Sequence, residues 1–423
     1  MTMRASIFVL AALALLPPLA LADPPSARSN KDLILSEPTG SQSGLESWVK
    51  DFRGRALSHG ISAATFDAAM TRLTYLPDVV RKDRHQNEFT KTIWDYLDSA
   101  VSDARITSGQ AALAEHREVL DRIEATYGVD KQVILAIWGL ESAYGAVRGD
   151  INTIEALATL AYDGRRGAFF EGQLLAALQI LQAGDVTPAN MRGSWAGAMG
   201  HTQFMPTSFL STAVDFNGDG RRDIWSDDPV DALASTAAYL AKNGWQKGAP
   251  WGVEVSLPLG FDYGLTTDKT KKSAAEWQAL GVTMALGADL PDFGPGSILL
   301  PGGARGVAFL IFHNFQVIET YNSADAYVIA VGHLGDRILG APDFHALWPR
   351  DLRALTFDER IELQQRLSGS GFDTLGIDSK MGPRTIAAIM GFQRASGLIP
   401  DGFPSTQLMD ALRDGMRAGD ISP

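Results

Sequence analysis

The chain contains no cysteine. That absence excludes disulfide scaffolds, thiol catalysis, Cys-ligated zinc, iron–sulfur clusters and the lipid-attachment cysteine of a lipoprotein. Histidine is sparse, with seven among 423 residues, and no two stand in an H-E-x-x-H arrangement, which argues against a His-based zinc enzyme. Positive charge is also short: 37 Lys and Arg face 49 Asp and Glu, a formal net charge of −12. Broad contact with a phosphate backbone depends on excess Lys and Arg, so nucleic acid is not an expected partner. Long apolar runs are missing as well. Ile7–Leu16 is uninterrupted but only ten residues long, against the about 20 that a bilayer span needs.

That run reads as part of an export signal. Arg4 precedes it, Pro17-Pro18 break it, and Ala20-Leu21-Ala22 forms a small-x-small cleavage site before Asp23. Residues 1–22 are therefore expected to be a signal peptide and the mature chain to be soluble, periplasmic and free of a stable membrane span. Asp23–Gly44, rich in Pro, Ser and Gly, reads as a flexible leader. The remaining length predicts two or three domains with a sizeable core.

From Leu45 to about Ala183 the pattern is helical. In Ala111–Tyr127, for example, Leu113, Val119, Leu120 and Ile123 form a stripe that Gly128 stops. Between Trp251 and Phe315 the texture changes to short apolar runs punctuated by Gly and Pro, which predicts a small β region. Helical periodicity returns at Ala324–Ile338, and the proline-containing stretch 341–355 marks a domain boundary. Beyond it, Thr356-Phe-Asp-Glu359 is a capping box opening a helix, Gly382-Pro383 opens a second, and Ser405 or Thr406 caps a third. Three short helices joined by Gly/Asp turns fit a binding module at 356–416. The fold class that emerges is mainly α, with a small β subdomain.

The sharpest anomaly is a glutamate. Asp130 stands as the N-cap of a helix in which Ile134, Ile137 and Glu141 follow at spacings of three and four, so Glu141 occupies a position that the apolar stripe reserves for a hydrophobic side chain. Burial resists ionisation, and the nearby helix C-terminus repels negative charge. Both effects favour the protonated form, which suits a general acid facing a poorly basic leaving oxygen. The same pattern also fits a glutamate at the edge of the stripe, bonded to a neighbouring helix end.

Two further segments keep it company. Gly193–Pro206 sets small residues among Ser194, Trp195, Gln203 and Phe204, a mixture that suits either a polyhydroxylated sugar or a close helix–helix contact. Tyr239 and Tyr321 are further aromatic candidates, with a hydrophobic staple as the other role for Tyr321. Asp215, Asn217 and Asp219, a Gly at the sixth position and the Arg221 carbonyl match the first half of an EF-hand loop. The twelfth position is Ser226 in place of Glu, with Asp231 following later. The loop reads as a structural calcium site or as a solvated Asp/Asn/Gly turn.

Ile134–Gly145, Gly193–Gly200 with Gln203–Pro206, and the Asp215–Asp231 loop together resemble the membrane-bound lytic murein transglycosylase B family, over roughly residues 45–350. The tail, through Leu363–Leu367, Gly382–Thr385 and Asp401-Gly402, resembles a peptidoglycan-binding domain of the three-helix type. The resemblance implies a lysozyme-like helical core and non-hydrolytic cleavage of the β-1,4 bond between N-acetylmuramic acid and N-acetylglucosamine, leaving a 1,6-anhydro end. It implies Glu141 as the single acid/base, with no catalytic cofactor. It also implies Ser194, Gln203, Tyr239 and Tyr321 along the glycan cleft, and Asp215, Asn217, Asp219, the Arg221 carbonyl and Asp231 around calcium. Two other readings share these residues, a hydrolytic muramidase on the same scaffold and a non-catalytic peptidoglycan scaffold. A second carboxylate from Glu155, Asp163 or Glu171 would favour hydrolysis.

Overall fold

A computed structural model describes residues 38–84, 91–266 and 270–415. Residues 1–22, expected to be a signal peptide, most of the expected leader and the end of the tail lie outside them. Among the described residues no helix is long and apolar enough to cross a membrane. The chain divides into two compact units, each assembled from separated stretches.

The first unit comprises 103–247 and 317–339 together with the N-terminal helices. Ser41 caps its opening helix Gln42–Ser58, accepting from the Gly44 amide. The centre of the unit is the helix Lys131–Ser142, buried almost throughout from Val133 to Ser142 and hydrophobic on every side. A helix without a polar face is stable only when surrounded. Here Asp103–Glu115, Arg117–Tyr127, Val230–Lys242 and Asp325–Ile338 surround it. Thr153–Asp163 and Gly167–Ala183 pair beside this bundle. The stripe assigned to Ala111–Tyr127 is carried by two helices: the chain breaks at His116, whose backbone leaves the helical region, and the second helix ends at left-handed Gly128. Asp130 occupies the N-cap position without capping. Its carboxylate accepts the Trp245 indole N–H at 2.9 Å instead.

The second unit holds the β region and the tail. Four antiparallel strands run in the order Thr283–Met284, Gly252–Ser256, Ala308–Ile311, Ser297–Leu299. Val255 pairs with Met284, and Ile311 pairs with both Gly252 and Ser297. Trp277, Val282, Leu310 and Phe312 fill the core beneath the sheet. The tail is three helices, Phe357–Gly369, Pro383–Ala395 and Thr406–Arg413, opened by the Thr356–Glu359 capping box, by Gly382-Pro383 and by Ser405. Leu363, Leu367, Ile389, Phe392 and Leu408 form its separate core. One carboxylate joins tail and sheet region: Asp401 accepts from the Ala304 amide at 2.8 Å, from Gln393 Nε2 at 2.8 Å and from the Phe403 amide at 3.0 Å.

Candidate active site

The helix that carries Glu141 stops abruptly. Ala143, Tyr144 and Gly145 follow with φ of +49°, +57° and +85°, three successive left-handed residues of which two are not glycine. Such backbone costs energy and persists only where neighbours hold it. Tyr144 supplies the hold by folding back under the helix, where its hydroxyl donates to the Arg105 carbonyl at 3.0 Å. A Cβ at Gly139 would lie 2.6 Å from the Tyr144 ring, which explains a glycine in the middle of this helix. Ser142 closes the turn, accepting from the Gly145 amide at 2.9 Å and donating to the His201 carbonyl at 2.5 Å.

Glu141 is buried, as its place in the apolar stripe predicts. Its Oε1 accepts the Tyr327 hydroxyl at 2.6 Å, while Oε2 has no hydrogen-bond partner among the described residues. Burial raises the carboxyl pKa from 4.5 to about 8, and the Tyr327 bond pulls the other way. The group is therefore a neutral carboxylic acid at pH 7, with the unpartnered oxygen left to carry a transferable proton. Tyr327 was not among the residues singled out from the sequence. It comes from Asp325–Ile338, 186 residues further on, and its only signal was a tyrosine on a helix that turns out to be buried, where a hydroxyl needs a partner. The three carboxylates considered as second catalytic groups are engaged elsewhere. Glu155 accepts from the Thr74 amide, Asp163 pairs with Arg84, and Glu171 takes Arg55 in a two-pronged bond.

The Gly193–Pro206 segment is a tight double turn. Ser194 donates its amide to Ala198 O at 2.8 Å and accepts the Ala198 amide on Oγ at 3.1 Å, and Met199 and Phe204 exchange both backbone bonds. Gly149, at φ +85°, lies so close against Gly193 that an added Cβ would collide with the Gly193 carbonyl. Gln203 is left-handed and buried, and its amide donates to the Arg148 and Gly200 carbonyls at 3.0 and 2.9 Å. Ser194 is half-buried. Tyr239 and Tyr321, expected along a glycan cleft, lie beneath this segment at 5% and 0% exposure, packed on each other and on Phe204. The Tyr321 hydroxyl donates to Thr202 O at 2.5 Å and that of Tyr239 to Thr320 O. Burial raises the Tyr321 pKa, and Glu141, once ionised, adds to that, so Tyr321 remains a donor. Asn322 bonds the Ala324 amide, and Ala324 is the N-cap of the following helix.

In the acidic loop the side chains fold onto their own backbone. Asp215 accepts from the amides of Gly218, Asp219 and Gly220, Asn217 from Asp219, and Asp219 from Arg221. Both Asp231 oxygens are taken by the amides of Phe216, Asn217 and Asp223. All-oxygen chemistry suits calcium. Among the described residues, however, no group of three or more acidic or histidine side chains is gathered closely enough to hold a metal. Asp231 acts here as the anchor of the loop.

Comparison with known proteins points one way. A peptidoglycan binding domain profile matches residues 358–412. The membrane-bound lytic murein transglycosylase B of Escherichia coli K12 is 34% identical over 250 residues, which cover 57% of this chain and 66% of that one, a little under two thirds of its length. The crystal structure of SltB3 from Pseudomonas aeruginosa in complex with NAG-anhNAM-pentapeptide superposes with a TM-score of 0.85 at 48% identity, covering 87% of this chain and 99% of that one. The Escherichia coli lytic transglycosylase Slt35 in complex with calcium does so with a TM-score of 0.59 at 29% identity, covering 73% and 96%. The transglycosylase SLT domain profile matches residues 44–336, well over half of the sequence, and the chain belongs to that family.

Proposed function

We propose that the chain is a peptidoglycan lytic transglycosylase that cleaves the β-1,4 bond between N-acetylmuramic acid and N-acetylglucosamine without water. The observation that carries this reading is the neutral, buried Glu141 carboxyl with one oxygen held by Tyr327 and the other unpartnered. Glu141 donates its proton to the glycosidic oxygen as the C1–O bond breaks. The resulting carboxylate keeps the Tyr327 bond and accepts the proton of the muramoyl C6 hydroxyl, whose oxygen closes on C1 to form the 1,6-anhydro ring. An intramolecular nucleophile gains effective concentration and removes the need for a second carboxylate. Positive charge building at C1 is met by the substrate's own N-acetyl oxygen. The engagement of Glu155, Asp163 and Glu171 elsewhere supports one acid doing both steps. Ser194 and Gln203 line the glycan path in this reading, with Tyr239 and Tyr321 as its supporting floor.

Residues 45–350 form the catalytic part, and 356–416 retain the enzyme on the sacculus. Residues 1–22 direct export to the periplasm. Asp215, Asn217, Asp219, the Arg221 carbonyl and Asp231 are the oxygens that would hold a structural calcium, in exchange for the backbone amides they accept here; the ion would lend the loop rigidity and take no part in the chemistry. Mass spectrometry of digested wall tests the reaction. The wild type is expected to release anhydromuramoyl fragments one water lighter than hydrolytic products, and Glu141→Gln to release none. Reducing ends from the wild type would establish a muramidase, and undiminished release by the variant would remove Glu141 from the mechanism.

A further inference from the structure

One buried titratable group beside the site has no part in the reaction above. His201 is 3% exposed and sits where three segments meet. Its Nδ1 faces the indole N–H of Trp138, at 3.1 Å, on the Glu141 helix three residues before the glutamate. Its Nε2 lies 2.7 Å from the Ser226 carbonyl in the acidic loop. Its own carbonyl accepts the hydroxyl of Ser142, next to Glu141. An indole can only donate and a carbonyl only accept, so the ring is a neutral imidazole with its proton on Nε2.

We infer that His201, in this tautomer, is a positioning residue for Glu141, clamping the Gly-rich segment and the acidic loop to the end of the catalytic helix, and that protonation opens the clamp. The inference rests on the lytic reading for its kinetic consequence but not for its structural one. A second ring proton on Nδ1 would point at the Trp138 N–H and break that bond. It would also place a cation beside Arg148, whose Nη1 lies 3.3 Å from Nε2. The charged groups around the ring divide. Arg148 opposes protonation, while Asp227 and Asp223 favour it, and one oxygen of the exposed Asp227 accepts from Arg148 at 2.7 Å. His116 packs against the far side of Trp138, at 5.4 Å between rings. Burial is the largest influence and lowers the His201 pKa. A basic group lowered in the folded state lends stability above its unfolded pKa of about 6.5 and loses it as pH falls from there towards the folded value. The clamp is thus whole at neutral pH and released in acid.

The test pairs kinetics with a ring titration in the full-length protein. His201→Gln keeps one acceptor and one donor without a titratable proton, His201→Phe keeps a ring without either, and Trp138→Phe removes the indole donor along with part of the ring that packs on His116 and Tyr144. Misplacing a catalytic group by a fraction of an ångström costs roughly tenfold or more, so His201→Phe and Trp138→Phe are expected to lower kcat about tenfold at pH 7 with KM little changed. His201→Gln should recover much of that loss, and its kcat should lack the acid limb that the wild type shows below the ordinary imidazole range. Nitrogen-15 spectra of the histidine rings should show His201 protonated on Nε2 at pH 7, and the Trp138 indole signal should move together with its titration. An acid limb of equal depth in His201→Gln, an Nδ1-protonated or charged ring at pH 7, or an indole indifferent to the titration overturns the inference. Wild-type protein that lyses no wall refutes the enzymatic reading instead, and the ring and indole titration then still decides the clamp.

Discussion

Replacing Glu141 by glutamine should stabilise the protein by an amount that grows with pH. A carboxyl whose pKa rises from 4.5 to about 8 on folding binds its proton more tightly in the folded state than in the unfolded one. Stability is therefore lost as pH rises from the unfolded value, and the loss levels off only above the folded value. At 1.36 kcal/mol per pKa unit, holding this acid neutral costs about 1 kcal/mol at pH 5 and about 3 kcal/mol at pH 7. Glutamine keeps the shape and can still accept the Tyr327 hydroxyl, but has no proton to hold. Any cost of seating its NH2 group is the same at both pH values and cancels when they are compared. Urea unfolding of both proteins at pH 5 and pH 7 should show the variant gaining about 2 to 3 kcal/mol on the wild type across that interval. A difference between the proteins that stays constant with pH would mean that Glu141 ionises normally in the fold, and the argument from burial would fail.

Tyr327→Phe removes the bond that lowers the Glu141 pKa and steadies its carboxylate. Losing a hydrogen bond to a charged group should reduce kcat roughly tenfold or more and move the basic limb of the pH–rate profile upward. Gly149→Ala forces a side chain into left-handed backbone and against the Gly193 carbonyl, so thermal unfolding should report a loss of about 2 kcal/mol or more. If calcium binds the acidic loop, adding it after EDTA should raise the Tm by about 3 °C or more, since a ligand that binds only the folded state stabilises by mass action. An unchanged melting curve would leave the loop as a self-bonded turn.

Local features of this fold were legible in the sequence because local chemistry makes them. The Thr356–Glu359 capping box, the Gly382-Pro383 start and the β texture after Trp251 are each written within a few residues, and each stands where the pattern predicts. The burial of Glu141 follows from its spacing to Ile134 and Ile137. What the sequence hides is what arrives from afar. Tyr327 reaches Glu141 across 186 positions, and nothing local marks that tyrosine as different from Tyr321 or Tyr239. The resemblance places those two along a glycan cleft, and their hydroxyls close backbone carbonyls beneath the Gly-rich turn. The Asp215–Asp231 stretch shows the same division. Its residue types are those of a cation loop, while the backbone amides that Asp215, Asn217, Asp219 and Asp231 accept belong to the folded turn.

Infrared difference titration of the Glu141 carboxyl, wild type minus Glu141→Gln, measures the protonation state on which the mechanism depends. A protonated carboxyl C=O band persisting at pH 7 and vanishing near pH 8 is the expected result. A carboxylate spectrum already complete by pH 6 would leave the chain without its acid and contradict the mechanism.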